Sequence, residues 1–232
     1  MVKSSQTKRP VVIIGGWLSA SRDYQQMATV LARPPYNRVV YITDISRREW
    51  GEVRDPDFRL VINILARTIA VALAETGAEK VDLIGHSSGG RVARTYLGDK
   101  PYYQQVYNGF RSVASLTTLG TSHATWETFV RKFGAFVEQT YPGAYFPQIA
   151  YRSVAGDGVR GRRLGRPEEM FAYHCYELIT GNGSDIGDGV TPTRSCYLTG
   201  ADQLVLPGVR HIPHAPQWYG APDVIGKWFP AE

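Results

Sequence analysis

Short runs of β-branched and aliphatic residues recur along this chain, each separated from the next by a longer stretch with helical spacing. Runs as continuously apolar as PVVII at 10–14, or KVDLIG at 80–85, suit strands that are covered on both faces. That alternation restricts the chain to a mostly parallel sheet flanked by helices. Further strands are predicted over 38–43, 112–119, 149–155 and 203–209, about six in all. Helices are predicted over 21–33, 58–76, 88–97 and 217–229. Within 58–76, Leu60, Val61, Ile64, Leu65, Ala72 and Leu73 keep one face apolar, and Gly77 stands where a helix would stop. Crossovers of one hand bring the C-terminal ends of such strands to one edge, where ligands bind. No repeat or linker divides the chain, so 10–232 reads as a single α/β domain behind an N-terminal extension, 1–9.

The composition supports a packed core, with 43% hydrophobic and 20% charged residues among 232. No apolar run approaches the roughly 20 residues a membrane-crossing helix needs. The net charge is only +5, without zinc-finger spacing or an aromatic–basic reading motif, so nucleic acid is not an expected partner. No obligate protein partner is inferred either. Cys175 and Cys196 allow at most one bridge, and MVKSSQTKRP runs into a strand instead of a secretory apolar segment. The expectation is a cytoplasmic protein with free thiols.

At the end of the third strand stands GHSSGG, residues 85–90, with Ser87 at the centre of a G-x-S-x-G pattern. A serine on a sharp strand-to-helix turn takes strained backbone angles, and glycines two positions either side let the chain pass that closely. The turn exposes the hydroxyl and aims a helix N-terminus at developing negative charge. Ser87 is therefore the candidate nucleophile. It needs a base, and the base an orienting carboxylate, in the chain order Ser, acid, His.

Five histidines are available: His86, His123, His174, His211 and His214. His86 adjoins the serine but is expected to point away from it on the turn. His211 follows the last predicted strand and is the favoured base, with His214 as its rival. For the acid, Asp188 in GDGVTP is favoured over Asp157, and Asp157 and Asp202 otherwise read as turn residues.

GHSSGG, GGW at 15–17, LGTSH at 119–123, GDGVTP and LPGVRH together resemble the α/β-hydrolase superfamily, over about residues 10–229. Within it the chain is similar to small lipase-like serine hydrolases, nearest to cyanobacterial and plastid-type members related to the inositol-deacylase group. The resemblance implies a lipase or lipid acyl hydrolase that releases fatty acids from acylglycerols or membrane glycerolipids, with no cofactor and no metal. It also implies an oxyanion hole built from the amides of Trp17 and Ser88. Such lipases usually carry His-Gly where Gly15-Gly16 stands here. They often carry Thr-Pro-His where Thr121-Ser122-His123 stands, so His123 reads as structural.

Between the fourth strand and Asp188 the chain is longer than a crossover needs, and 121–187 is expected to contain a lid or cap insertion. Trp126, Phe129, Val130, Phe133, Phe136 and Val137 form a helical stripe, followed by Tyr141, Tyr145 and Phe146. Trp126, Phe129 and Phe133 are candidate acyl-binding residues, and the alternative for the whole stripe is a helix packed on the sheet. Arg160, Arg162, Arg163 and Arg166 form a basic cluster that could touch an anionic membrane surface or remain a solvated loop. GNGSDIGDG at 181–189 lacks the spacing of a calcium loop. Three alternatives to the lipase stay open: an acyl thioesterase, a short-chain esterase, and a non-catalytic receptor on the same fold.

Overall fold

The computed structural model describes residues 8–53, 57–123 and 135–231. Six parallel strands form the main sheet: β1 (Val11–Ile14), β2 (Val40–Ile42), β3 (Val81–His86), β4 (Val113–Leu119), β5 (Ala150–Gly156) and β8 (Asp202–Leu206). Their order across the sheet is β2-β1-β3-β4-β5-β8. From β1 the chain moves outward to β2, then returns to lay β3 on the other side. The C-terminal ends of β1 and β3 therefore flank the point where the winding reverses, which is where open α/β sheets form their ligand crevice. Gly15 and Gly16 follow β1 there, and Ser87 follows β3.

Every residue of β1 and β3 is buried. Val12, Ile14 and Leu83 face a cluster with α3 (Arg59–Thr76) and α4 (Ser88–Leu97). Val11, Ile13 and Ile84 face a second cluster with α1 (Gln25–Ala32) and α7 (Pro222–Trp228). Alternate residues of one strand thus feed two cores, which is why these strands are apolar throughout instead of every second residue.

The predicted strands match in number and place, with ends that differ by a few residues. The last is shorter than expected because Pro207 and Gly208 turn the chain after Leu206. The closing helix starts later than expected, with Pro222 in its first turn. The charged stretch between the strand predicted over 38–43 and the helix predicted over 58–76, for which no element is predicted, contains a helix, α2 (Arg47–Glu52). Ser46 caps it by accepting from the Arg48 amide, and Glu49 accepts from the Ser46 amide at 2.8 Å. Residues 135–140 are helical (α5). Beyond β5, strand β6 (Val159–Arg160) pairs antiparallel with β7 (Ile186–Gly187), and α6 (Pro167–Thr180) joins them. Among the described residues no helix is long and apolar enough to cross a membrane.

Candidate active site

Ser87 sits between β3 and α4 with φ 55° and ψ −127°, a conformation side chains other than glycine rarely adopt. Its surroundings hold it there. The Ser87 amide donates to Leu119 O at 2.8 Å, and the Thr121 hydroxyl donates to Ser87 O at 2.8 Å. A Cβ on Gly85 would lie 2.6 Å from Gly90 Cα, and one on Gly89 would lie 2.6 Å from Ile14 O. The elbow can therefore close only on hydrogens. Ser88 is the first residue of α4, where amides lack intrahelical acceptors and the helix dipole favours negative charge.

The structure brings Asp188 and His211 together across 23 positions, with Nδ1 facing Oδ2 at 2.7 Å. Both are almost fully buried. Oδ1 accepts from the amides of Val190 (3.0 Å) and Thr191 (2.7 Å), and the His211 amide donates to Asp188 O at 2.9 Å. An ionised carboxylate only accepts, so Nδ1 carries the proton and Nε2 is left as the basic nitrogen. His211 lines the same two clefts as Ser87. Asp157 instead accepts from the Gly208 amide at 2.7 Å and closes the turn after β8.

A parallel sheet with its serine elbow at the winding reversal agrees with a wider comparison. Residues 9–158 match the family model described as alpha/beta hydrolase fold. The chain belongs to that family. This α/β-hydrolase chain resembles the mature lipase BlEst2 of Bacillus licheniformis, with a TM-score of 0.63 and 19% identity over 90% of this chain and 86% of that one. It also resembles the lin2722 gene product of Listeria innocua, with a TM-score of 0.53 and 14% identity over 86% of this chain and 85% of that one. At these identities the likeness is one of fold.

Three residues that sequence reasoning did not single out complete the site of this hydrolase fold. The Tyr219 hydroxyl donates to Asp188 Oδ2 at 2.8 Å, so that oxygen receives two donors. Burial, followed by the charge of Asp188, pushes the Tyr219 pKa well up, which keeps it a donor. Gly120, at φ +56°, lets this pair pass, because a Cβ there would lie 2.6 Å from Asp188 Oδ2 and 3.0 Å from His211 Nδ1. Tyr24 accepts the Gly16 amide at 2.9 Å and meets His86 Nδ1 at 2.8 Å. Its pKa is pushed up to about 12, chiefly by burial.

Contrary to expectation, His86 does not turn away from the site. Its ring lies 4.6 Å from that of His211, and it lines the smaller cleft beside Ser87. The last residue of a fully buried strand has to pack somewhere, and here the crevice wall takes it. Burial, then the neighbouring His211, holds its pKa well below the usual value. The other histidines lie elsewhere in the network. His123 is buried between Arg94 Nη1 and Thr118 Oγ1, each at 3.2 Å, and His174 is exposed on α6. His214 lies 3.9 Å from Asp23 at the rim of the smaller cleft.

Trp17 lines both clefts, and Ser88 lines the larger. The Gly16 amide is committed to Tyr24, so it cannot serve an oxyanion. Trp126, Phe129, Val130 and Phe133 lie outside the described residues. Of the rest, Phe136, Val137, Tyr141 and Phe146 are buried or half-buried while Tyr145 is exposed, and Phe136, Tyr141 and Phe146 join the core on the α3–α4 side. In the basic cluster, Arg162 and Arg166 both approach Glu169, at 3.9 and 3.3 Å.

A separate cavity of about 260 Å³ opens at the N-terminal ends of the strands. Its charges are spent on one another: Asp82 pairs with Arg9 and Arg38, and Asp202 with Arg152.

Proposed function

We propose that this chain is a serine hydrolase of carboxylic esters that acts on lipid acyl groups, with Ser87 as nucleophile, His211 as base and Asp188 as orienting acid. The observation that carries the reading is the strained Ser87 elbow sharing its clefts with an imidazole whose far nitrogen is held by a buried carboxylate. His211 Nε2 takes the Ser87 proton as Oγ attacks the ester carbonyl, and Asp188 stabilises the imidazolium. The Ser88 and Trp17 amides receive the oxyanion, where each donor is worth about 10² to 10³ in turnover. His211 then gives its proton to the leaving alcohol, and activates water to release the acid.

The larger cleft, about 390 Å³, favours an acyl chain, because Trp17, Leu18, Ile179 and Val190 form much of its wall. Ser122 and Ile179, from within 121–187, also line it, which supports a cap role for parts of that stretch. The small lipase-like group related to inositol deacylases is the subgroup this reading favours.

The test is hydrolysis of p-nitrophenyl esters from acetate to palmitate, with Ser87→Ala as control. Turnover that disappears in the variant and peaks at medium or long chains is the expected result. A peak at acetate means a short-chain esterase, and turnover of acyl-CoA but not of oxyesters means a thioesterase. No turnover of either sinks the enzyme reading.

A further inference from the structure

Two clefts of different character meet at Ser87. One is the apolar-walled cleft described above. The other, about 280 Å³, runs past His86 and His211 to a polar end formed by Ser19, Asp23, Arg47 and His214. Asp23 Oδ2 is 3.6 Å from Arg47 Nη2, and Asp23 Oδ1 is 3.9 Å from His214 Nε2. The carboxylate is fixed, since its Oδ2 accepts the Ala20 amide at 2.9 Å. Arg47 Nε donates to Leu18 O at 3.0 Å, which anchors that guanidinium against the loop after β1. The Arg47 and His214 side chains are 57% and 61% exposed, so their remaining polar atoms face solvent.

We propose that this polar end is the subsite for the leaving alcohol, and that it selects a neutral, hydroxyl-rich alcohol. The proposal rests on the ester-hydrolase reading above and deepens it. Proton transfer assigns the two clefts. The leaving oxygen must receive its proton from His211, and Ile212, Pro213 and His214, which directly follow His211, line only the smaller cleft. Ser88, the elbow amide donor, lines only the larger one, together with Val190 and Thr191. At a tetrahedral carbon the two substituents diverge, so the alcohol leaves on the polar side and the acyl chain lies on the apolar side.

Charge sets the class of alcohol. One carboxylate and one guanidinium stand side by side with an imidazole and a hydroxyl. An anionic group would meet Asp23, and a cationic one would meet Arg47. Adjacent neutral hydroxyls can donate to the carboxylate and accept from the guanidinium at once. A plain alkyl alcohol would leave these groups to water and gain nothing from them.

The experiment holds the acid constant and changes the alcohol: glyceryl 1-monooctanoate, ethyl octanoate and octanoylcholine, compared by kcat/KM. Each solvent-accessible hydrogen bond is worth about threefold to tenfold. The expected preference is about tenfold for the glyceryl ester over both others. The preference over ethyl octanoate should collapse toward parity in Arg47→Ala and His214→Ala, and return in part in Arg47→Lys. Ile179→Trp, which fills the other cleft, should shorten the preferred acyl chain and keep the alcohol preference. Ser87-dependent hydrolysis without an alcohol preference, or with the same preference in both alanine variants, overturns the subsite alone. So does an Ile179→Trp variant that changes the alcohol preference. No Ser87-dependent hydrolysis of any ester overturns the ester-hydrolase reading, and the subsite falls with it.

Discussion

Tyr219 donates its hydroxyl to Asp188 Oδ2 at 2.8 Å, the same oxygen that faces His211 Nδ1 at 2.7 Å. The tyrosine thus shares the carboxylate oxygen that holds the imidazole, and it helps to fix where that oxygen stands. In Tyr219→Phe, Asp188 keeps its two amide donors on Oδ1, so the fold should survive. A carboxylate that has lost this donor is held less firmly against Nδ1, so kcat should fall about threefold to tenfold, the worth of one hydrogen bond, while KM stays nearly constant. A role for Tyr219 in packing alone would lower the melting temperature and leave kcat where it was.

Tyr24 acts on the other side of the serine. By taking the Gly16 amide it fixes the peptide ahead of Trp17, and Ser19 Oγ holds the other end by donating to Gly16 O at 2.6 Å. The loop has little freedom, since a Cβ on Gly16 would stand 2.7 Å from Ser87 Cβ. Tyr24→Phe leaves a buried amide without its acceptor, at a cost of about 1–3 kcal/mol. We expect kcat to fall about tenfold with KM nearly constant, because a loosened donor is felt most where charge develops. A change confined to KM would point to binding in the smaller cleft instead.

The strands and the elbow were legible because their signals are local. Apolar runs declare buried strands, and glycines at 85 and 89 declare a turn with no room for side chains. The chain order Ser, Asp, His, combined with placement at the strand ends, led to the pair that meets at 2.7 Å. Helix α2 carried a readable signal in Ser46 and Glu49, a capping box hidden by a charged, weakly periodic stretch. Tyr24, Gly120 and Tyr219 gave no such sign. Nothing in their local pattern says which groups the fold brings against them, and Tyr219 read as one more aromatic in the predicted closing helix. His86 shows the same limit, since its packing against His211 depends on how the end of β3 and the loop after β8 converge.

Asp188 and Asp157 can be separated by one pair of variants. Asp188→Asn places an amide beside Nδ1 and favours the wrong imidazole tautomer, a change that lowers turnover by about 10⁴ in serine hydrolases of this type. Asp157→Asn keeps an oxygen to accept the Gly208 amide, so activity should stay within about twofold and the melting temperature should barely move. The reverse pattern would reassign the acid.

Buried histidines make the stability of this fold depend on pH. Burial, then His211, holds the His86 pKa well below its usual value, and burial, then Arg94 and Arg91, does the same for His123. In the unfolded chain both should titrate near the ordinary value of about 6.5. Between that value and the depressed folded ones the unfolded state binds more protons, so stability is complete above about pH 6.5 and falls as the pH drops. The slope should reach about 1.4 kcal/mol per pH unit for each histidine. Glu49, Asp57 and Glu169, whose pKa values hydrogen bonding lowers, lose their contributions only at more acidic pH. Denaturant unfolding at pH 7.5, 6.5 and 5.5 measures the slope. His123→Asn, which keeps a neutral polar side chain beside Arg94, should roughly halve it below pH 6.5. An undiminished slope in that variant would show that His123 does not carry its half of the effect.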